Sequence, residues 1–238
     1  VRITTTFVSA VDPRGMPFGV DEAGKGPALG SMFAAAVYLE DPDGLPDGIR
    51  DSKRLTPERR EELATTLRDD DRIAIGVAEI TPARIDDPQT DMNSLAVTAH
   101  ANAIEDAVAD LERSGDASEP VSGLCDACDT DAERFARRVS DACSLERLTV
   151  DARHGADDDS PLVGAASIIA KVERDAHVAT LAAEYGQVGS GYPGDSTTRE
   201  FLASYTDAHG ELPPFARESW STCEDALAEA EQTGLEQF

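Results

Sequence analysis

The sequence predicts an α/β domain in which a mixed sheet is flanked by helices and followed by a C-terminal helical segment. Short apolar or β-branched runs alternate along the chain with longer amphipathic runs. The first two apolar runs, Phe18–Asp21 and Met32–Leu39, are joined by a short glycine-rich turn. A connection this short allows an antiparallel pair and excludes a helical crossover. A chain of 238 residues is long enough for one such domain with a sizeable core.

The individual strands and helices are predicted from local sequence patterns. Strands are predicted where apolar runs are bounded by Gly, Pro or Asp: Phe18–Asp21, Met32–Leu39, Arg72–Ile80, Val121–Asp126 and Arg147–Asp151. Helices are predicted from the 3.6-residue period and from start residues such as Thr56 and Pro57. They cover Pro57–Leu67, Asn93–Arg113, Asp131–Asp141, Pro161–Tyr185 and Thr197–Tyr205, and an acidic C-terminal segment around Cys223–Glu231 follows them.

The charge is far from average. There are 47 acidic residues against 21 basic ones, giving a formal charge of −26, and only three of the basic residues are lysines: Lys25, Lys53 and Lys171. Such a surface repels itself in ordinary buffer, whereas at molar salt the Debye length falls to about 3 Å. We therefore expect a halophilic, intracellular source. The three retained lysines are therefore candidate functional residues.

The location is predicted from what the sequence lacks. No run of 18 apolar residues could cross a membrane, and residues 1–16 lack the apolar stretch of a secretory signal. Free thiols suit a reducing compartment, and the four cysteines are Cys125, Cys128, Cys143 and Cys223. We expect a cytoplasmic protein, monomeric and without a membrane partner.

Acidic side chains stand at the ends of several predicted strands. Asp21 and Glu22 end the first strand, Asp126 ends the fourth, and the run Asp157–Asp159 follows the fifth. Neighbouring strands lie about 5 Å apart, so these carboxylates could surround divalent cations and support two-metal phosphoryl transfer. The alternative is an acidic turn and a solvated loop in an acidic protein. The residues alone do not choose among the three aspartates of the run.

The segment from Gly19 to Gly26 nearly matches a phosphate-binding P-loop, but that interpretation fails. The position that would need Ser or Thr is Gly26, and the carboxylates inside the loop would face nucleotide phosphates. A Gly-Lys-Gly turn still lets backbone amides approach an anion closely.

Other candidates are less specific. Ser167 and Lys171 share one face of a helix, where the lysine either reaches a phosphate or extends from an apolar helix into water. The Cys125-x-x-Cys128 pair lacks a second pair, so metal or redox use is disfavoured. The histidines are scattered and are expected to be structural or solvent-facing: His100, His154, His177 and His209.

Taken together, these residues resemble type 2 ribonuclease H (ribonuclease HII) in its archaeal form. Six segments match the family in order along most of the chain. They are Gly19–Pro27, Asp51–Leu55, Asp126–Asp129, Ala165–Val172 with Arg174-Asp175, Gly189–Pro193 and Pro213–Trp220. The resemblance implies a ribonuclease H-like fold.

The resemblance also assigns roles. It implies that two Mg²⁺ or Mn²⁺ ions are bound by the catalytic residues Asp21, Glu22, Asp126 and Asp157. The last is selected because the family has His-Lys-Ala-Asp ten residues before the helix serine, where this chain has His154-Gly-Ala-Asp157. Substrate-binding roles are implied for Gly24, Lys25, Gly26, Lys53, Ser167, Lys171 and Tyr192. Two departures stand out, because Lys25 replaces the usual Arg and Gly155 replaces a usual Lys.

The activity implied is endonucleolytic hydrolysis of the RNA strand of RNA–DNA hybrids, including 5′ of single ribonucleotides in duplex DNA, leaving 5′-phosphate and 3′-OH. The implied organisation is an N-terminal extension (1–16), a catalytic core (17–188), a helical segment completing the substrate groove (189–231) and a tail (232–238). The alternative is a clamp-associated nucleic-acid-binding protein of the same fold with weak or different nuclease chemistry.

The C-terminus predicts a partner. Gln232, Leu235 and Phe238 resemble the short motif with which replication proteins dock on the sliding clamp. The alternative is a frayed acidic tail.

Overall fold

The sheet has five strands in the order β3-β2-β1-β4-β5. The computed structural model describes residues 16–49, 55–114, 121–145 and 147–236. The strands are β1 (Phe18–Ala23), β2 (Met32–Tyr38), β3 (Ala74–Ile80), β4 (Val121–Asp126) and β5 (Leu148–Arg153). The β1–β2 and β2–β3 pairs are antiparallel, whereas β1–β4 and β4–β5 are parallel. The mixed sheet predicted from the glycine-rich turn is thus confirmed.

Each predicted helix is found, and the described residues also form short helices that were not predicted. They are α1 (Pro57–Arg68), α2 (Pro82–Ile85), α3 (Met92–Ser114), α4 (Ala132–Ala142), α5 (Ala156–Asp159), α6 (Pro161–Tyr185), α7 (Ser196–His209) and α8 (Ser221–Glu236). Thr56 caps α1 by accepting a hydrogen bond from the Arg59 amide, as expected. The short α2 and α5 have too few residues to show a period, which is why the sequence pattern missed them.

The two faces of the sheet carry separate helical layers. Ala34 and Ala36 of β2 belong to a buried cluster that contains residues of α3 and α4, whereas Ala35 and Val37 of the same strand pack with α1 and α6. Alternating side chains of one strand therefore meet different helices.

Helix α6 lies unusually close to β1. A Cβ added to Gly19 would stand 2.2 Å from the Val163 amide nitrogen and 2.3 Å from the Leu162 carbonyl carbon. Only glycine permits this contact, because a side chain would overlap the helix backbone. The close approach brings the following turns of α6 to the end of β1.

A third cluster joins the C-terminal helices to the turn after β1. Leu29 and Ala216 form a β-bridge, and Leu29 packs with Val188, Leu202 and Phe215. All four cysteines are free thiols. Within the described ranges, no helix is both long and apolar enough to cross a membrane.

Candidate active site

Two predicted site residues lie side by side on the neighbouring strands β1 and β4. The parallel register of β1 and β4 pairs Val20 with Cys125, and the next residues are Asp21 and Asp126. Asp126 is the last residue of β4, whereas β1 continues through Glu22 to Ala23, so Asp21 lies beside the end of β4. The predicted convergence holds for this pair, although the predicted end of the first strand at Asp21 was two residues too early.

Neighbouring residues of β1 face opposite layers. Asp21 lies on the α6 side, where it is hydrogen-bonded to Ser167, and the Lys171 ammonium donates to Ser167 Oγ at 2.6 Å. Glu22 lies on the α3 side, where its Oε2 is 2.9 Å from His100 Nε2. The shared helix face predicted for Ser167 and Lys171 is confirmed.

The third element is the turn that opens α5. The Ala156 amide donates to Asp126 Oδ1 at 2.8 Å, which ties the start of α5 to the end of β4. Gly155 has φ +68°, a left-handed conformation that favours glycine. Asp157, the second residue of α5, is only 4% exposed.

The four carboxylates interact electrostatically. Burial, followed by the charges of Glu22 and Asp126, raises the pKa of Asp21 well above its usual value, although Ser167 and Lys171 oppose the shift. Burial also raises the pKa of Asp126, with added repulsion from Asp157 and Glu22. Carboxylates in this arrangement repel one another, and a bound cation would relieve that repulsion.

A different ligand set also meets at this edge. Ligand atoms of Glu22, His100 and Cys128 lie within 4.8 Å of one another. Burial and the Glu22 charge raise the pKa of the Cys128 thiol to about 12, so it is protonated at neutral pH. A protonated thiol is a poor metal ligand, and the arrangement favours a hydrogen bond between His100 and Glu22.

A groove of about 420 Å³ adjoins the carboxylates. Its lining includes Glu22, the Gly24–Gly26 turn, Lys171 and Tyr192. Tyr192 is 46% exposed, and its ring lies 3.8 Å from where a Cβ on Gly26 would stand. The structure thus gathers most of the substrate-binding residues that the resemblance implied around one groove. Lys53 lies outside the described residues.

The Lys25 side chain is fixed by two hydrogen bonds within the protein. Its ammonium donates to Asn93 Oδ1 at 3.0 Å and to the Cys128 carbonyl at 2.6 Å. These bonds tie the Gly24–Gly26 turn to α3 and to the loop after β4. The ammonium thus fixes the position of the turn, and the backbone amides of the turn can still bind an anion.

Two contacts at the site were missed by sequence reasoning. His100 was expected to be structural or solvent-facing, yet the fully buried ring bonds Glu22. Arg217 lies in a segment that matches the family, but nothing in the sequence showed that its guanidinium bonds the carbonyls of Gly24 and Lys25. Both contacts join residues that are distant along the chain, so no local pattern marks them.

Solved structures resemble this fold closely. The ribonuclease H2 of Pyrococcus horikoshii is 35% identical, with a TM-score of 0.79 over 90% of this chain and 98% of that one. Ribonuclease HII of Archaeoglobus fulgidus, solved as a complex with PCNA, is 34% identical, with a TM-score of 0.75 over 89% and 96%. These likenesses and the carboxylate edge define the class: a nuclease with a ribonuclease H-like fold.

Sequence comparison identifies the family. The Ribonuclease HII family model matches residues 18–223. Ribonuclease HII of Haloarcula marismortui is 59% identical over 223 residues, covering 94% of this chain and 100% of that protein. The Halobacterium salinarum protein is 55% identical, covering 93% and 99%. The chain belongs to the ribonuclease HII family, the type 2 ribonucleases H. These hosts are halophilic archaea, in agreement with the source expected from the charge.

Proposed function

We propose that this protein hydrolyses the RNA strand of RNA–DNA hybrids and also cuts 5′ of single ribonucleotides embedded in duplex DNA, leaving 5′-phosphate and 3′-OH. The observation that carries the proposal is the place where Asp21 of β1 lies beside Asp126 at the end of the parallel strand β4, next to a groove lined by a Gly-Lys-Gly turn and an exposed tyrosine. Membership of the ribonuclease HII family supports the substrate class.

The residues that would hold two divalent ions are Asp21, Glu22, Asp126 and Asp157. The donor set fits Mg²⁺ or Mn²⁺, because both prefer carboxylate oxygens. Burial, and then the charges of neighbouring carboxylates, raise the pKa of Asp21 and of Asp126, so a bound cation would favour their charged forms. When bound, such ions prepare a water for attack on phosphorus and stabilise the leaving oxygen.

The groove residues would bind and orient the substrate. The amides of the Gly24–Gly26 turn lie where they could contact the ribose 2′-OH, the group that distinguishes RNA from DNA, and the adjacent phosphate. Tyr192 offers an exposed ring face for stacking on the deoxyribose beyond the RNA–DNA junction. The Lys171 ammonium, braced by Ser167, would contact the scissile-strand phosphate. In this proposal residues 189–231 complete the groove formed by the core at 17–188.

The test is cleavage of a labelled DNA duplex that contains one ribonucleotide, at KCl concentrations up to molar, with Mg²⁺, Mn²⁺ or EDTA. We expect metal-dependent cutting 5′ of the ribose. Asp157→Asn should abolish it, whereas Asp159→Asn, in the same acidic run but exposed, should retain it. Cleavage that survives in EDTA or in Asp157→Asn would reject the metal assignment.

The alternative of a binding protein with degenerate chemistry makes a different prediction. The duplex would then bind without being cut at any salt concentration or with either metal. Cutting restricted to longer RNA tracts would retain the metal site but would show that Lys25, in place of arginine, has changed recognition at the junction.

We further propose that the C-terminal residues Gln232, Leu235 and Phe238 dock on the sliding clamp. The Archaeoglobus fulgidus relative was solved in complex with PCNA, and Gln232 is exposed near the end of α8. The side chain of Leu235 and all of Phe238 lie outside the described residues. Deleting 232–238 should abolish clamp binding by calorimetry, whereas Glu231→Ala should leave it intact. Unchanged affinity after the deletion would remove this partner site.

A further inference from the structure

The carbonyls of the Gly24–Gly26 turn all point toward the C-terminal segment. The Gly24 oxygen accepts from Arg217 Nη2 at 2.6 Å, and the Lys25 oxygen accepts from Arg217 Nη1 at 2.9 Å. The Gly26 oxygen accepts from Trp220 Nε1 at 3.3 Å. Three consecutive peptide carbonyls are therefore held by two side chains.

This arrangement fixes where the amides point. In a planar trans peptide, the N–H is directed opposite to the C=O of the same unit. The Lys25 amide opposes the Gly24 carbonyl, and the Gly26 amide opposes the Lys25 carbonyl. Since those carbonyls face Arg217, the two N–H groups face away from it, toward the groove that the turn lines.

Arg217 is itself buried and hydrogen-bonded to backbone groups. Its side chain is 0% exposed, and Nε donates to the Gly30 carbonyl at 2.9 Å. Its backbone amide donates to the Ala28 carbonyl at 2.8 Å. One planar guanidinium thus serves three carbonyls, a geometry that the point charge of lysine cannot reproduce.

A second buried guanidinium stands beside it. Arg174 Nη2 donates to the Leu29 carbonyl at 2.9 Å, and Arg174 also lines the groove. Its Cδ and Nε lie 3.0 Å from where a Cβ on Gly24 would stand. Within the part of the chain that the structure describes, Arg174 Nε and Nη1 have no hydrogen-bond partner.

Both guanidinium groups remain charged at neutral pH. Burial, followed by the charge of Arg174, lowers the pKa of Arg217 to about 10. Two adjacent buried cations repel each other, and an anion in the groove would offset that repulsion. Salt screens buried charges much less than exposed ones, so their attraction persists where the rest of this acidic surface is screened.

We propose that Arg217 is a positioning residue for substrate recognition, fixing the Gly24–Gly26 turn so that its amides face the groove and, with Arg174, attracting a backbone phosphate at molar salt. The inference rests on the proposed function, since the phosphate is that of the bound nucleic acid. The recognition site then depends on buried arginines, in a protein whose exposed surface has lost most of its lysines.

Because the chain has three lysines, selective labelling allows the Lys25 amide of the turn to be observed by NMR. Selective ¹⁵N-lysine labelling gives at most three amide signals, and Lys25→Arg assigns that of Lys25. Adding a duplex with one ribonucleotide, in EDTA at molar KCl, should shift the Lys25 amide signal. In Arg217→Gln the shift should be lost. A Lys25 shift that is unchanged in Arg217→Gln would overturn the proposal.

Kinetics separates positioning from loss of stability. At temperatures where the variants are fully folded, Arg217→Gln should raise KM about tenfold or more with a smaller change in kcat. Arg217→Lys, which keeps the charge but not the fork, should also raise KM. Leu202→Ala removes buried volume from the same cluster and should lower the thermal midpoint without moving KM. Equal KM increases in Arg217→Gln and Leu202→Ala would contradict the positioning role.

The two proposals fail in different ways. If the wild-type chain binds the duplex without cutting it, the nuclease assignment fails, while the Lys25 amide titration still decides the role of Arg217. If the wild type cuts and Arg217→Gln binds as tightly as it does, the positioning role fails and the nuclease assignment stands.

Discussion

His100 Nε2 lies 2.9 Å from Glu22 Oε2, although the two residues are 78 positions apart. The imidazole is fully buried, and its Nδ1 has no hydrogen-bond partner among the described residues. An ionised carboxylate only accepts hydrogen bonds, so the bond to Glu22 requires a proton on His100 Nε2. His100 therefore donates to Glu22 and fixes the orientation of that carboxylate.

Removing this donor should weaken metal binding. Partners that orient metal ligands typically contribute tenfold to a hundredfold in metal affinity or activity. His100→Ala should raise the Mn²⁺ concentration needed for half-maximal cleavage by about tenfold, and His100→Gln, which keeps a donor, should have a smaller effect. His209→Gln changes an exposed histidine and is the control. An unchanged metal requirement in His100→Ala would show that the bond has no role in the site.

The contact between β1 and α6 predicts a large stability effect at Gly19. A Cβ there would overlap backbone atoms of α6 at 2.2 Å, so Gly19→Ala should lower the free energy of unfolding by about 3 kcal/mol or more. Gly194→Ala, where a Cβ meets nothing within 4 Å, should be close to neutral. Chemical denaturation in molar KCl measures both variants, and equal midpoints would contradict the close packing.

Asp195 predicts an acid-sensitive contribution to stability. Hydrogen bonds from the Ser190 backbone and hydroxyl, followed by the Thr197 amide, lower its pKa to about 2. An unfolded Asp titrates near about 3.9. Because the folded pKa is the lower one, the stabilisation is fully present above about pH 4 and is lost as the pH falls through about 2.

The measurement is the unfolding midpoint of wild type and Asp195→Asn as the pH is lowered. The difference between them should be greatest above about pH 4 and should shrink below it. Asp207→Asn, an exposed change on the same helix, corrects for general charge effects. A difference that stays constant with pH would mean that the Asp195 charge does not contribute.

The formal charge of −26 predicts dependence on salt. Self-repulsion is screened at molar salt and strengthens as the Debye length grows. The thermal midpoint should fall on dialysis from molar KCl to low salt, and sucrose at equal osmolality should not restore it fully. A midpoint indifferent to KCl would exclude charge repulsion as a determinant of stability.

The parts of the fold that the sequence predicted are those with a local cause. Thr56 and Pro57 mark the start of α1, and the short glycine-rich turn after β1 required an antiparallel neighbour. The position of β1 at the centre of the sheet could not be predicted this way, because strand order depends on contacts between residues far apart in the chain.

The residues of the candidate site likewise divide into those that a local sequence pattern predicts and those that it does not. Asp126 follows from a strand end, Asp21 from its place after the apolar start of β1, and the face shared by Ser167 and Lys171 from helical spacing. Asp157 was selected by family resemblance, since three adjacent aspartates have the same local pattern. The partners of the Lys25 ammonium depend on how α3 and the loop after β4 pack against the turn, which no local pattern encodes.

Arg217 and Lys25 are separated by 192 residues. A ribosome makes the chain from its N-terminus, so the sheet and its carboxylates emerge long before the arginine that holds the Gly24–Gly26 turn. Under the positioning role proposed for Arg217, a chain terminated before that residue would lack the contacts that fix the Gly24–Gly26 turn. Only completed synthesis supplies them.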